Sequence, residues 1–425
     1  MKDLLTEWNP WWSEEFSFKG ITREIVKEIL PWIERKEIIS ILGVRRAGKT
    51  TLLYEVVDYL IHEKGVNPKN IVFIKADDDR VEKEGLIDKA VAEYQKWMNP
   101  SARIFMFIDE IQEIKEWQKT LKRVYDLQPE LKIFISGSNA SLLKEDISSS
   151  LAGRYAYFEV FPFSFSEFVQ AHNVITKEEL DIIKNKHKIR QLLTEYIDAG
   201  SFPEVVLEKD EKIKKELIGF YFDSIFYRDI IKRKGIRNPA KLERLVRYFL
   251  QNMTNLENFT RIAKALELTT DSVVEYTKAL EDAYLTFQVN LFEFSYKKQV
   301  INPKKIYCID TGLRNKVGFK FSEDIGRLYE NIVFLQLKRK GKEIFYWKNK
   351  HECDFIVKEG KDLQAIQVCY DITSTKEREI NGLVEAMKKF KIKEGMIITE
   401  NDEAEETREG QRIRYIPLWK WLLEK

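Results

Sequence analysis

Ile38-Ile39-Ser40-Ile41-Leu42-Gly43-Val44-Arg45-Arg46-Ala47-Gly48-Lys49-Thr50-Thr51 is the stretch that decides the fold of this 425-residue chain. A short β-branched apolar run leads into G-x-x-x-x-G-K-T, and the helix-forming stretch Leu52-Leu53-Tyr54-Glu55-Val56-Val57 follows at once. A loop that cradles phosphate needs a strand to launch it and a helix N-terminus to receive the anion, and both flank this one. Gly43 and Gly48 permit the turn, so that backbone N–H groups along Gly43, Val44, Arg45, Arg46, Ala47, Gly48, Lys49, Thr50 and Thr51 face the anion. Lys49 is placed to reach the β- and γ-phosphates, and the Thr50 hydroxyl to ligate Mg²⁺. Arg45 and Arg46 are bulky for such a loop and are read as contacts to phosphate or to a partner's acidic surface. The stretch predicts a nucleoside triphosphate site.

The surrounding pattern agrees. Apolar runs at 37–42, 70–75, 104–108, 132–136 and 156–161 alternate with helical stretches, as in an α/β fold with a parallel sheet buried on both faces. The run Arg103-Ile104-Phe105-Met106-Phe107-Ile108-Asp109-Glu110 ends in two acids at the strand end where open α/β sheets bind ligands. Asp109 is the candidate for holding the Mg²⁺ water shell, and Glu110 for orienting and deprotonating the attacking water. The next run ends Ser136-Gly137-Ser138-Asn139, which makes Asn139, with Ser138, a candidate for hydrogen bonding the γ-phosphate or the water. Arg154, just before the last run, is a candidate for stabilising phosphoryl charge, in cis or from a neighbouring subunit. Its competing reading is a surface ion pair.

Composition bounds the rest. Charged residues make up 33% and apolar ones 44%, which fits a soluble globular protein of several domains. Abundant Lys, Glu and Ile lean toward a thermophilic source. A net charge of +2 carries no global argument for nucleic acid, so any basic surface is local. Cys308, Cys353 and Cys369 show neither metal-ligand spacing nor a disulfide framework, which suits a cytoplasmic setting. No apolar window is long enough to span a membrane, and no secretory signal opens the chain.

After an N-terminal extension (1–35) and the nucleotide core (36–163), residues 164–237 read as a helical lid broken at Gly200-Ser201-Phe202-Pro203. Helices at 242–253, 259–266 and 272–284, the last capped by Thr270 or Asp271, precede strands at 285–294 and 305–309 joined by 295–299. That order gives a winged-helix domain over 238–315. A second, small α/β unit fills 316–425, with a helix at 325–338 and strands at 343–347, 353–358 and 364–368.

Taken together, the chain resembles the AAA-type ATPases of archaea and bacteria that carry a C-terminal domain of unknown function resembling restriction endonucleases. The resemblance rests on residues 43–51, Phe107-Ile108-Asp109-Glu110-Ile111-Gln112, Ser136-Gly137-Ser138-Asn139 and Leu151-Ala152-Gly153-Arg154. Further matches are Phe161-Pro162-Phe163-Ser164-Phe165, Gly200-Ser201-Phe202-Pro203-Glu204, Tyr227-Arg228-Asp229 and Lys305-Ile306-Tyr307-Cys308-Ile309-Asp310-Thr311-Gly312-Leu313. It implies ATP rather than GTP, and an α/β P-loop core of AAA type followed by lid, winged helix and endonuclease-like module.

A nuclease of that type needs carboxylates on a metal and a lysine beside them. Glu330 and Asp354 match two parts, but Gln367-Val368-Cys369 stands where Glu/Asp-x-Lys is needed, so cleavage is not expected. His351-Glu352 lies close enough in sequence to supply a replacement ligand. DNA contact is expected, if anywhere, through the backbone, using Lys241, Arg244, Arg247, Arg261 and Lys264 and the wing residues Lys297, Lys298, Lys304 and Lys305. The acid-rich stretch 271–282 argues against reading the major groove. Two outputs stay open: ATP hydrolysis that rearranges the C-terminal modules, with DNA as a partner, or a slow nucleotide-controlled switch or scaffold that engages a protein partner or a second copy of the chain.

Overall fold

Strands β1 (Ile38–Gly43), β2 (Ile71–Lys75), β3 (Ile104–Asp109), β4 (Leu131–Gly137) and β5 (Tyr155–Val160) pair only in parallel, in the order β2-β3-β4-β1-β5. The protein is described from a computed structural model covering residues 1–98, 100, 103–138, 151, 153–318 and 325–424. β1, β3 and β4 are buried along their whole length, as unbroken apolar runs require. Each differs from the expected run by a residue or so at its ends. Helices Lys49–His62, Leu86–Met98 and Trp117–Leu127 make the crossovers. The register aligns Leu42 with Gly137, Gly43 with Val160 and Lys75 with Asp109, so the phosphate loop and the acids leave the sheet from one edge. Stacked rings of Tyr54, Phe73, Phe107 and Phe134, with successive centroids 4.9, 6.1 and 4.4 Å apart, fill one face.

Residues 1–35 belong to this body, since the chain divides into compact units at 1–161 and 162–425. The Asn9 side chain donates to the Phe73 carbonyl (2.9 Å) and accepts the Phe73 N–H (2.6 Å), acting as one more rung on the edge strand β2. Trp11 and Trp12 both donate their indole N–H to the Ile71 carbonyl, at 3.3 and 2.8 Å. The exposed edge of the sheet is thereby capped by side chains instead of a strand.

The second unit opens with helices Phe165–Ala171, Glu179–Lys184, Lys186–Ala199, Pro203–Leu207 and Glu211–Asp223, the first held by a capping box of Ser164 and Glu167. A π-helix, Ser224–Lys232, carries Tyr227 and Arg228 exposed and Asp229 buried. The break at Gly200 is a packing site. Gly200 has φ +81°, and a Cβ there would lie 2.2 Å from the Asp310 carboxylate, which accepts the Ser201 N–H (2.6 Å) and hydroxyl (2.9 Å) and caps helix Thr311–Val317. Two of the motifs behind the resemblance therefore clasp each other.

Helices Pro239–Gln251, Phe259–Leu266 and Thr270–Asp282 follow. The cap of the third is Thr269, which accepts the Ser272 N–H at 3.1 Å, not Thr270 or Asp271. With Thr, Thr and Asp in succession, the residue whose backbone turns extended takes the role. β6 (Leu256–Glu257), β7 (Thr286–Leu291) and β8 (Lys304–Cys308) are antiparallel neighbours, and the 295–299 bridge holds a short helix, Tyr296–Ile301. Helix Ile325–Arg339 precedes β9 (Glu343–Lys348), β10 (Glu352–Glu359) and β11 (Asp362–Cys369). Helix Ile372–Phe390, β12 (Glu394–Thr399), β13 (Ala404–Arg408) and β14 (Gln411–Pro417) complete the unit. Among the described residues one nine-stranded sheet runs β13-β14-β12-β11-β10-β9-β7-β8-β6, joined by parallel pairing of β7 with β9. It crosses the boundary expected at 315, so hairpin and C-terminal strands share one layer. Among the described residues, no helix is long and apolar enough to cross a membrane.

Candidate nucleotide site

The loop after β1 has backbone demands that its sequence meets. A Cβ at Gly43 would stand 1.9 Å from the Val160 carbonyl oxygen, and Gly48 turns into the helix with φ +90°. Lys49 opens that helix with only 4% of its surface exposed, and its ammonium donates to the Gly43 and Val44 carbonyls at 3.1 Å each. These are carbonyls of the loop itself, so the lysine sits inside the cradle it is expected to serve. Arg23, from the N-terminal segment, is buried and donates to the Ala47 carbonyl (2.9 Å) and the Phe161 carbonyl (2.7 Å). Its own N–H points at both Glu55 carboxylate oxygens at 3.2 Å. Nothing local in the sequence marks Arg23 as a tether of the loop.

Asp109 ends β3 and receives the Thr50 hydroxyl at 2.7 Å on one oxygen and the Ser136 hydroxyl on the other. Burial pushes its carboxyl up to about 6, and the neighbouring Glu110 charge acts in the same direction. Glu110 lies in the left-handed region (φ +51°), which turns it out of the strand line. Its N–H donates to Ser136 Oγ at 2.9 Å, its carboxylate accepts the Gln112 amide, and Oε1 stands 3.9 Å from Lys49 Nζ. Ser138 is buried, 3.4 Å from the same Gln112 amide. Lys49, Thr50, Asp109 and Glu110 are thus brought together, with Ser136 and Gln112 as partners that motif reading passed over. Asn139 lies outside the described residues.

Arg154 is not part of this group. Its carbonyl accepts the Ile38 N–H (2.8 Å) at the start of β1, five strand residues and roughly 16 Å from the loop. Its guanidinium lies 3.3 Å from Asp126 and over the Tyr125 ring. The parallel register places Arg154 at the end of β1 away from the loop, in a surface ion pair.

An AAA domain matches residues 35–169, and two domains of unknown function, DUF8612 and DUF4143, match 190–324 and 325–421. An uncharacterized protein of Methanocaldococcus jannaschii is 35% identical over 426 residues, covering 95% of this chain and 91% of that one. The chain belongs to its family. Another relative, an uncharacterized protein of Haemophilus influenzae, is 28% identical over 414 residues, covering 94% of this chain and 98% of its own. Among solved structures, the Walker-type ATPase of Pyrococcus abyssi is 16% identical over 71% of this chain and 99% of that one, with a TM-score of 0.44. The Aeropyrum pernix Orc1 protein in complex with DNA is 11% identical over 72% and 94%, with a TM-score of 0.34. In this family of archaeal and bacterial proteins an AAA-type P-loop ATPase domain is followed by the two domains of unknown function.

The family's C-terminal segment holds a second polar cluster. Glu330, Glu352 and Asp354 converge, as Glu330 and Asp354 were expected to, but on Lys305 of β8. Lys305 is 1% exposed, so its expected role as a basic wing residue is overturned: strand alternation turns it inward with Tyr307. Burial alone would lower its pKa, but the Glu330 and Asp354 charges outweigh that and hold it well above the ordinary value. His351 turns to Glu385 (3.3 Å) and does not join the cluster. Gln367 donates to Glu379, from the helix Ile372–Phe390, at 2.5 Å.

The other basic candidates divide. Arg247 pairs with Glu243, Lys298 with Glu293 at 4.0 Å, and Lys304 donates to the Gln299 carbonyl; Lys241 is half-buried, and Arg244, Arg247, Arg261, Lys264, Lys297 and Lys298 are exposed. Two acids of 271–282 also face inward: Glu281 accepts from Gln288 (3.1 Å), and Asp282 pairs with Lys234 (2.6 Å). The outer face of that helix is less acidic than its sequence implies.

Proposed function

We propose that this chain is a cytoplasmic, Mg²⁺-dependent ATPase whose nucleotide state rearranges its C-terminal modules. The observation that carries the reading is the join of Thr50 to Asp109 at 2.7 Å beside a buried Lys49 and a turned-out Glu110. The Thr50 hydroxyl and the Asp109 carboxylate are the groups that would hold Mg²⁺, which when bound neutralises charge between the β- and γ-phosphates. Backbone N–H groups of residues 43–51 bind the phosphates, and Lys49 exchanges its loop carbonyls for a γ-phosphate oxygen. Glu110 orients the attacking water and takes its proton, with Gln112 and Ser136 fixing its direction. Asn139 is proposed to touch the γ-phosphate, and Arg154 to act on a neighbouring subunit's nucleotide.

DNA is the proposed surface for the output, held through its backbone by Arg244, Arg261, Lys264, Lys297 and Lys298 on a winged-helix arrangement. A second reading, a slow switch that docks a protein, is favoured by exposed Phe294 (84%), Tyr296 (78%) and Ile301 (69%) around helix Tyr296–Ile301. Steady-state ATP hydrolysis with single-stranded, duplex and branched DNA added in turn separates the two. Stimulation by any of these supports the DNA reading, and unchanged rates support the switch.

A further inference from the structure

The endonuclease resemblance asks for a divalent cation between Glu330 and Asp354. The side chains around that point do not leave room for one. Lys305 Nζ lies 2.9 Å from Glu330 Oε1, 2.8 Å from Glu352 Oε1 and 3.0 Å from Asp354 Oδ1. Further donors serve the same carboxylates: the Tyr307 hydroxyl reaches Glu330 Oε1 (2.7 Å), the Val368 N–H reaches Asp354 Oδ2 (3.0 Å), and Lys348 pairs with Glu352 Oε2 (3.2 Å). Gln367, in the place of the third carboxylate, accepts the Asp354 N–H at 3.1 Å. Among the described residues, no group of three or more His, Cys, Asp or Glu is arranged to hold a metal ion.

We infer that Lys305 is the resident cation of this site: its ammonium stands where a divalent metal would, closes the carboxylates to Mg²⁺ and Mn²⁺, and ties β8 to helix Ile325–Arg339 and β10. The lysine comes from the hairpin and its ligands from the following helix and strand. The cluster is therefore complete only when the hairpin is seated in the shared sheet. Tyr307, two residues on and on the same face of β8, stacks on Phe334 with ring centroids 4.3 Å apart and holds the strand to that helix. The C-terminal module is a metal-independent platform locked by one ammonium.

The test is Mn²⁺ binding to the nucleotide-free full chain, read by electron paramagnetic resonance for wild type, Lys305→Met, Asp354→Asn and Glu352→Gln. Wild-type binding is expected to be unchanged by Asp354→Asn or Glu352→Gln. Lys305→Met is expected to gain a Mn²⁺ site about tenfold or more tighter than any in wild type, and to lose it when Asp354→Asn is added. A wild-type Mn²⁺ site abolished by Asp354→Asn or Glu352→Gln overturns the inference, as does a folded Lys305→Met that gains none. Should Lys305→Met fail to fold, wild type against Glu352→Gln decides alone, because the Glu352 side chain is 29% exposed and its change is the milder one.

Discussion

Asp109 and Glu110 are chemically similar neighbours with different surroundings. Asp109 is enclosed and takes hydroxyls from Thr50 and Ser136, whereas Glu110 leaves the strand in a left-handed turn and faces Lys49 and Gln112. Removing the proton acceptor should separate binding from turnover. Glu110→Gln is expected to lower multiple-turnover hydrolysis about 10²- to 10³-fold while a fluorescent ATP analogue binds as before. Ser136→Ala strips a hydroxyl that donates to Asp109 and accepts from the Glu110 N–H, and should lower kcat about tenfold with little change in KM. Equal loss in KM would assign Ser136 to binding instead. That Lys49, Thr50, Asp109 and Glu110 come together was legible because each pair closes a continuous run, 43–51 or 103–110. Ser136 was not, because its role exists only once β4 lies beside β3. Lys305 was misread for the same reason: a lysine directly after Lys304 gives no sign that three distant carboxylates enclose it.

The five strands were legible from their apolar runs, most of them continuous, to within about a residue at each end. The N-terminal segment was not, because Asn9, Trp11 and Trp12 act on β2 backbone some 60 residues away. Asn9→Ala should lower stability by roughly 2 kcal/mol, the scale of losing buried amide hydrogen bonds and leaving their partners unmet, measured by urea unfolding. Lys132, at the start of β4, shows the same kind of tie: its ammonium donates to the carbonyls of Trp32 (2.7 Å), Arg35 (2.9 Å) and Glu37 (2.5 Å). Burial pushes its pKa from 10.5 down to about 7, with the Arg103 charge adding to the effect. Between those values the unfolded chain binds more protons than the folded one, so stability from this group rises with pH from about 7 to 10.5. Lys132→Met should flatten that rise and, by stripping the carbonyls of their donor, cost about 1–3 kcal/mol at pH 7. Unfolding in urea at pH 6.5 and pH 9 tests both.

At the scale of the molecule, two compact bodies carry different chemistry. The first brings Lys49, Thr50, Asp109 and Glu110 together, and Arg23 ties its N-terminal segment to the loop. The second is a helical array and one continuous sheet in which hairpin and C-terminal strands share hydrogen bonds, so motion there is expected to be carried by the sheet as a whole. The α/β core ahead of a mixed C-terminal region was legible in the sequence. The fusion of hairpin and C-terminal sheet was not, because parallel pairing of β7 with β9 joins edges that no periodicity connects. If DNA is the surface on which the ATPase works, replacing Arg244, Arg261, Lys297 and Lys298 together by Ala should abolish DNA stimulation and leave basal hydrolysis intact, as loss of phosphate contacts requires. Everything downstream depends on the first body turning over nucleotide. The direct measurement is steady-state ATP hydrolysis with Mg²⁺ by wild type and Lys49→Ala side by side. Wild type is expected to release phosphate continuously and Lys49→Ala to fall to background. No turnover by wild type, or equal turnover by both, would contradict the account.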